Sequence, residues 1–274
     1  MAYQIDGIVV KNRNIQSSYY LLELKCPPIA NKARPGQFVM VKPSSQNYPL
    51  LRRPFSLSKF YPLNHPDKSK RGQFSILYKK VGLGTEMMSH LKEGQKINLI
   101  GPLGNGYSLP PLPSSSTIIL IGGGIGIASL LSLKEVLKDH IMFAFIGGKT
   151  KEDILYEQEF RKGKNTTLYI ATEDGSYGEK GTVVKLFVSR MSQFSSDKDL
   201  YVYSCGPSGM LKSLAKKLIR KRWFVQVSLE SRMACGIGAC WGCVVKTIDS
   251  NNPYQRVCKE GPIFDLKEVD WENL

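Results

Sequence analysis

The chain lacks any apolar run long enough to cross a bilayer as a helix. Its best candidate, Ile118 to Leu133, carries no charge but is broken by Gly122, Gly123, Gly124 and Gly126, so it reads as a strand, a glycine turn and a helix. No membrane partner is expected. The opening residues Met1-Ala2-Tyr3-Gln4-Ile5-Asp6 lack the basic and apolar regions of an export signal. The expectation is a cytoplasmic protein whose thiols stay reduced. Cysteine is sparse, six residues in 274, too few in too long a chain for the disulfide framework of a small secreted domain. Internal repeats and low-complexity tracts are absent as well. Acidic residues are outnumbered, 23 against 38 Lys and Arg, for a formal charge of +15 and a pI near 9.5. The basic residues are nevertheless dispersed, and no recognition motif accompanies them. Their densest stretch, Lys212, Lys216, Lys217, Arg220, Lys221 and Arg222, has helical spacing and reads as a solvated helix face, so no nucleic-acid partner is expected.

What remains is an ordinary globular composition, 42% hydrophobic and 22% charged, in a chain long enough for about two domains and a small appended unit. Up to Tyr107 the pattern is short β-rich runs between turn residues: 4–11, 18–25, 37–42, 57–60, 73–80 and 96–100. These predict an antiparallel barrel over 1–110. Pro110, Pro111 and Pro113 with Ser114–Ser116 read as a linker. Strand and helix then alternate: strands at 117–121, 141–147, 166–171 and 200–204, helices at 128–140, 151–160, 182–191 and 208–223. That rhythm predicts a doubly wound parallel sheet over 111–223, with ligands beyond the carboxyl ends of its strands. Residues 224–274 form a third, cysteine-rich unit.

In that unit Cys235, Cys240 and Cys243 are spaced C-x4-C-x2-C, and Cys258 follows alone. The spacing matches the plant-type arrangement of four thiolates around one 2Fe-2S cluster. A structural zinc site is the competing reading, although zinc ligands usually fall into two short paired knuckles. Cys26, ahead of two prolines, reads as a packed loop residue.

Two weaker signals lie in the barrel. Arg53, in Leu51-Arg52-Arg53-Pro54-Phe55-Ser56 before a β run, and Gly84-Thr85, opening a short helix through Leu91, can hold a pyrophosphate between a guanidinium fork and free helix N–H groups. Each has a plain alternative, a surface ion pair or a helix cap. In the second domain Gly122, Gly123, Gly124 and Gly126 stand between strand and helix, where a diphosphate can approach the backbone. Ile127 replaces the third glycine of G-x-G-x-x-G, and Gly147-Gly148-Lys149 stands where an acidic residue would close the second strand. Cys205-Gly206-Pro207 ends the last strand, within reach of a nicotinamide ring, or else contributes a buried inert thiol.

Taken in order, these elements resemble the ferredoxin–NADP reductase superfamily. Within it the chain is most similar to the electron-transfer subunits of dihydroorotate dehydrogenase B, above all in Glu230-Ser231-Arg232-Met233-Ala234-Cys235-Gly236-Ile237-Gly238-Ala239-Cys240. The resemblance implies that Arg53, Pro54, Phe55, Ser56, Leu77, Tyr78, Lys79, Gly84 and Thr85 line FAD, that the four clustered cysteines hold 2Fe-2S, and that NAD is an exchangeable substrate. Lys79 stands where the family commonly has arginine, and lysine is not its bidentate equivalent. The implied partner is an FMN-containing catalytic subunit that oxidises dihydroorotate in pyrimidine synthesis, with two copies of each chain. Rival readings are a paralogous subunit of a hydrogenase or of an NADH-dependent ferredoxin:NADP oxidoreductase and, from another class, a zinc-stabilised basic binding module.

Overall fold

Alternation of core and solvent positions shapes the first third of the chain. The structure, a computed structural model, describes residues 2–44, 46, 48–113, 116–194 and 200–274. Its early strands are β1 (Tyr3–Gln16), β2 (Tyr19–Lys25), β3 (Phe38–Val41), β4 (Arg53–Tyr61), β5 (Gln73–Lys79) and β6 (Lys96–Leu103). They pair antiparallel in the order β1-β2-β5-β4-β3-β6, and β1 pairs back onto β6, closing the barrel. Closure leaves no free sheet edge. Leu22, Leu24, Val39, Leu57, Phe74, Ile76 and Leu99 fill the interior. The arginine segment placed ahead of a β run lies inside β4, because Arg53–Ser56 pairs with Val41–Phe38. Cys26 is the packed loop residue expected, buried just ahead of helix α1 (Pro27–Lys32), and the two prolines occupy first-turn positions whose N–H groups would have no helical partner. Helix α2 (Leu83–Ser89) follows β5.

The second region alternates as expected: β7 (Thr117–Gly123), α3 (Ile127–Val136), β8 (Ile141–Gly148), α4 (Glu157–Arg161), β9 (Thr166–Thr172), β10 (Glu179–Lys180), α5 (Val183–Arg190), β11 (Leu200–Cys205), α6 (Ser208–Leu218) and β12 (Phe224–Ser228). Then come β13 (Val244–Lys246), β14 (Tyr254–Arg256) and β15 (Ile263–Asp265), the first two pairing antiparallel. The seven-stranded sheet runs β10-β9-β8-β7-β11-β12-β15, with only β15 antiparallel. It therefore crosses the 223/224 boundary drawn from the sequence. On β7, Ile118 and Leu120 pack with Leu130 and Leu133 of α3, while Ile119 and Ile121 pack with Phe187, Leu211 and Leu214 of α5 and α6. Both faces are covered, which is why this strand is an unbroken apolar run. Each such side chain contributes about 1.5–3 kcal/mol of burial.

Three helices differ from expectation, α3 by ending at Val136 rather than at 140. The predicted helix over 151–160 is a single 3₁₀ turn at Lys151–Asp153 followed by α4, separated by Tyr156 at φ +57°. That conformation sends the Tyr156 hydroxyl to Ser58 Oγ at 3.1 Å, a buried bond from the α/β region into the barrel. Helix α6 stops at Leu218, so Arg220, Lys221 and Arg222 lie in the turn before β12 takes up pairing with β11. Linker residues 114 and 115 lie outside the described residues.

Candidate functional site

After β12 the chain leaves the sheet and curls, with Gly236, Gly238 and Trp241 at φ +71°, +84° and +56°. Positive φ turns successive N–H groups inward, as in anion-binding nests. Cys240 N–H donates to Cys235 Sγ at 3.4 Å, and Gly242 N–H to Cys240 Sγ at 3.5 Å. The fourth cysteine arrives from the turn after β14, where Cys258 N–H donates to Cys243 Sγ at 3.4 Å. These backbone bonds tie Cys235 to Cys240 and Cys243 to Cys258. Burial opposes the Cys235 thiolate, but the N–H groups of Ile237, Cys240 and Ala239 outweigh it and bring its pKa down to about 6. Burial, with Cys243 beside it, pushes Cys258 up to about 12. Among the described residues no three His, Cys, Asp or Glu side chains converge on one ion position. Free thiols with N–H groups aimed at their sulfurs suit the thiolate ligands of an iron–sulfur cluster. Arg256 and Glu260 flank Cys258. Their mutual hydrogen bonds hold the guanidinium above its ordinary pKa and bring the Glu260 carboxyl down to about 2.

Between barrel, α/β region and this loop lies a cavity of about 510 Å³. Arg53, Pro54, Phe55 and Ser56 of β4, Leu77 and Lys79 of β5, and Gly84 and Thr85 of α2 line it. The two weak barrel signals thus meet: a Cβ on Gly84 would stand 3.2 Å from Arg53 Nε. Arg53 donates to Leu51 O at 2.6 Å, and among the described residues no carboxylate pairs with it. A guanidinium without a counter-ion beside a helix start suits a phosphate. Thr85 also serves the fold, because its hydroxyl accepts N–H bonds from Val81 and Gly82 and so closes the turn before α2. Tyr78 differs. The two-residue strand period turns its side chain into the barrel, where its hydroxyl donates to Asn12.

A second cavity, of about 480 Å³, opens at the carboxyl ends of β7, β8 and β11. Gly123, Gly124 and Pro207 line it, whereas Gly126 lines the first cavity. Gly122 and Gly206 stand behind the wall. Gly126 is required by close approach, since a Cβ there would lie 2.6 Å from Cys205 O. Cys205 is 2% exposed, and burial pushes its thiol up to about 12. Its side chain packs in the core behind the glycine loop.

Lys79, Ile125 and Glu230 line both cavities. Lys79 sits 3.5 Å from Asp153 and donates to the Tyr19 hydroxyl at 3.1 Å, while Tyr19 donates to Asp153 at 2.5 Å. Glu230 is solvent-accessible at the junction of the two cavities, and the protein packed around its carboxyl raises its pKa by desolvation. Sequence reasoning assigned no role to Asp153, Glu173, Glu230 or Met233. The only signal was position: Glu230 and Met233 belong to the cluster block, and Glu173 directly follows β9.

Residues 230–270 match the family model of the iron-sulfur cluster binding domain of dihydroorotate dehydrogenase B, and residues 120–216 that of the oxidoreductase NAD-binding domain. The solved structure of an NADH-dependent reduced ferredoxin-NADP oxidoreductase, described for flavin-based electron bifurcation, superposes with a TM-score of 0.79 at 28% identity, covering 98% of this chain and 91% of that one. Barrel, nucleotide sheet and cysteine cradle define an oxidoreductase of the ferredoxin–NADP reductase type that carries an iron–sulfur domain. The electron transfer subunit of dihydroorotate dehydrogenase B (NAD(+)) from Geobacillus sp. (strain WCH70) is 40% identical over 98% of this chain and 99% of its own length, and that from Bacillus caldolyticus 38% identical over 95% and 96%. The chain belongs to the family of dihydroorotate dehydrogenase B (NAD(+)) electron transfer subunits. This outweighs the ferredoxin:NADP and hydrogenase readings, and the iron–sulfur match sets aside the zinc-stabilised module.

Proposed function

We propose that this chain relays electrons from an FMN-containing subunit, which oxidises dihydroorotate, to NAD⁺ in pyrimidine synthesis, in a cytoplasmic assembly with two copies of each subunit. The supporting observation is continuity. Leu229, Glu230, Ser231 and Met233 wall the first cavity and lead directly into Cys235, while Lys79, Ile125 and Glu230 join that cavity to the second. Bound FAD would convert the two-electron chemistry of nicotinamide into the single-electron steps of an iron–sulfur cluster. On this reading Arg53 and the start of α2 hold the flavin phosphates, with Pro54, Phe55, Ser56, Leu77 and Lys79 along its length and Tyr78 contributing backbone only. Gly123, Gly124 and Pro207 receive NAD. Cys235, Cys240, Cys243 and Cys258 ligate the cluster. Among the described residues no helix is long and apolar enough to cross a membrane.

The test is copurification with the candidate FMN subunit followed by an assay of dihydroorotate-dependent NAD⁺ reduction. The isolated chain should pass electrons from NADH to a dye and leave dihydroorotate untouched. The complex should couple the two. A complex that oxidises dihydroorotate with dyes but never reduces NAD⁺ would overturn the reading.

A further inference from the structure

We propose that Arg256 and Glu260 form a charge clamp that positions the cysteine cradle and sets the reduction potential of the cluster held there. The proposal rests on the reading of the four cysteines as cluster ligands. Arg256 Nη1 donates to Gly238 O at 2.7 Å, in the middle of the three-cysteine loop. Its guanidinium carbon lies 4.4 Å from the ring centroid of Trp241, between Cys240 and Cys243. On its other side the guanidinium forks onto Glu260, with Nε donating to Oε2 at 3.0 Å and Nη2 to Oε1. Glu260 Oε2 also accepts the Arg256 N–H at 2.8 Å, and the Arg256 carbonyl accepts the N–H groups of Lys259, Glu260 and Gly261. Cys258 lies inside that turn. One side chain thus ties the loop bearing three ligands to the turn bearing the fourth, and the geometry needs a planar fork that lysine cannot supply.

The electrostatic consequence has a definite sign. Reduction adds one negative charge to an iron–sulfur cluster, so a nearby cation favours the reduced form and a nearby anion the oxidised form. The Arg256 side chain is 15% exposed and that of Glu260 28%, so water screens neither fully. Separately they push the potential in opposite directions.

The experiment is an EPR-monitored reductive titration of the anaerobically purified holoprotein, with iron and sulfide content measured beside it. Arg256→Gln should shift the cluster midpoint to more negative values and Glu260→Gln to more positive ones. Arg256→Lys should stay nearer the parent in potential while its EPR line shape changes, since charge is kept and the fork is lost. Shifts of the two neutral variants in the same direction, or no shift in either at full cluster content, would overturn the clamp. If Arg256→Gln loses its cluster, Glu260→Gln decides alone, and an unchanged or more negative midpoint overturns the proposal. A parent protein without iron and sulfide would instead overturn the ligand reading.

Discussion

Arg53 carries the most direct consequence of a single side chain. Its guanidinium has no carboxylate partner among the described residues and lies across the opening of α2, so Arg53→Ala removes a charge-assisted contact without breaking an ion pair. The loss should be about 1.5–3 kcal/mol of FAD binding, or about one to two decades in affinity. Titration of apoprotein with FAD reads this directly, and the iron–sulfur absorption should not change. Gly126→Ala tests the opposite kind of contact, because its Cβ would press on the backbone of Cys205 and Gly206. Overpacking of this sort costs about 1–3 kcal/mol, to be seen as a lowered thermal midpoint. At this scale the sequence was informative where chemistry is local. Four cysteines at their spacing stood out by themselves, whereas Arg53 and Gly84-Thr85 were weak signals that only the fold brings to one cavity. Glu230 and Asp153 could not be read from sequence, because a carboxylate acquires its role only from what the fold places opposite it. Nor could the spacing of Cys205 show that β11 would bury it.

Among elements, the contact between β5 and the 3₁₀ turn after β8 couples the barrel to the nucleotide sheet through Lys79, Tyr19 and Asp153. Burial works against the Asp153 charge, but the Tyr19 hydroxyl and Lys79 outweigh it and hold the carboxyl below its usual range. A depressed carboxylate contributes stability that is fully present above its unfolded pKa of about 4 and is lost as pH falls through the lower folded value. Asp153→Asn should therefore be less stable than the parent at pH 7 by about 0.5–1 kcal/mol, since Lys79 is partly solvated. The difference should shrink toward zero as denaturation is repeated below pH 4. Element type was legible along most of the chain because strand and helix periods differ, as the all-apolar Ile118–Ile121 and the Leu211, Leu214, Ala215, Leu218 stripe of α6 show. The break at Tyr156 was not, since it follows from a hydrogen bond to Ser58 almost a hundred positions earlier in the chain.

For the whole molecule, function depends on three regions meeting at shared walls. The sheet itself enforces this, since β12 joins β11 in parallel and β15 returns to pair with β12, holding the cysteine loop between them against the nucleotide region. No local pattern announced that return. Cys240 is the exposed member of the cradle, beside Ile237 and Trp241, which are 54% and 53% exposed. Replacing its thiol by a hydroxyl removes a soft ligand from a site selected for softness, so Cys240→Ser should lose or destabilise the cluster. The cavities do not involve this side chain. FAD should therefore remain, and NADH-to-dye transfer by the isolated chain should survive. In the complex the variant should lose dihydroorotate-dependent NAD⁺ reduction while the partner's own dye-linked oxidation of dihydroorotate continues. Full NAD-linked turnover in a complex shown by iron and sulfide analysis to lack the cluster would place the electron path elsewhere than through Cys235, Cys240, Cys243 and Cys258.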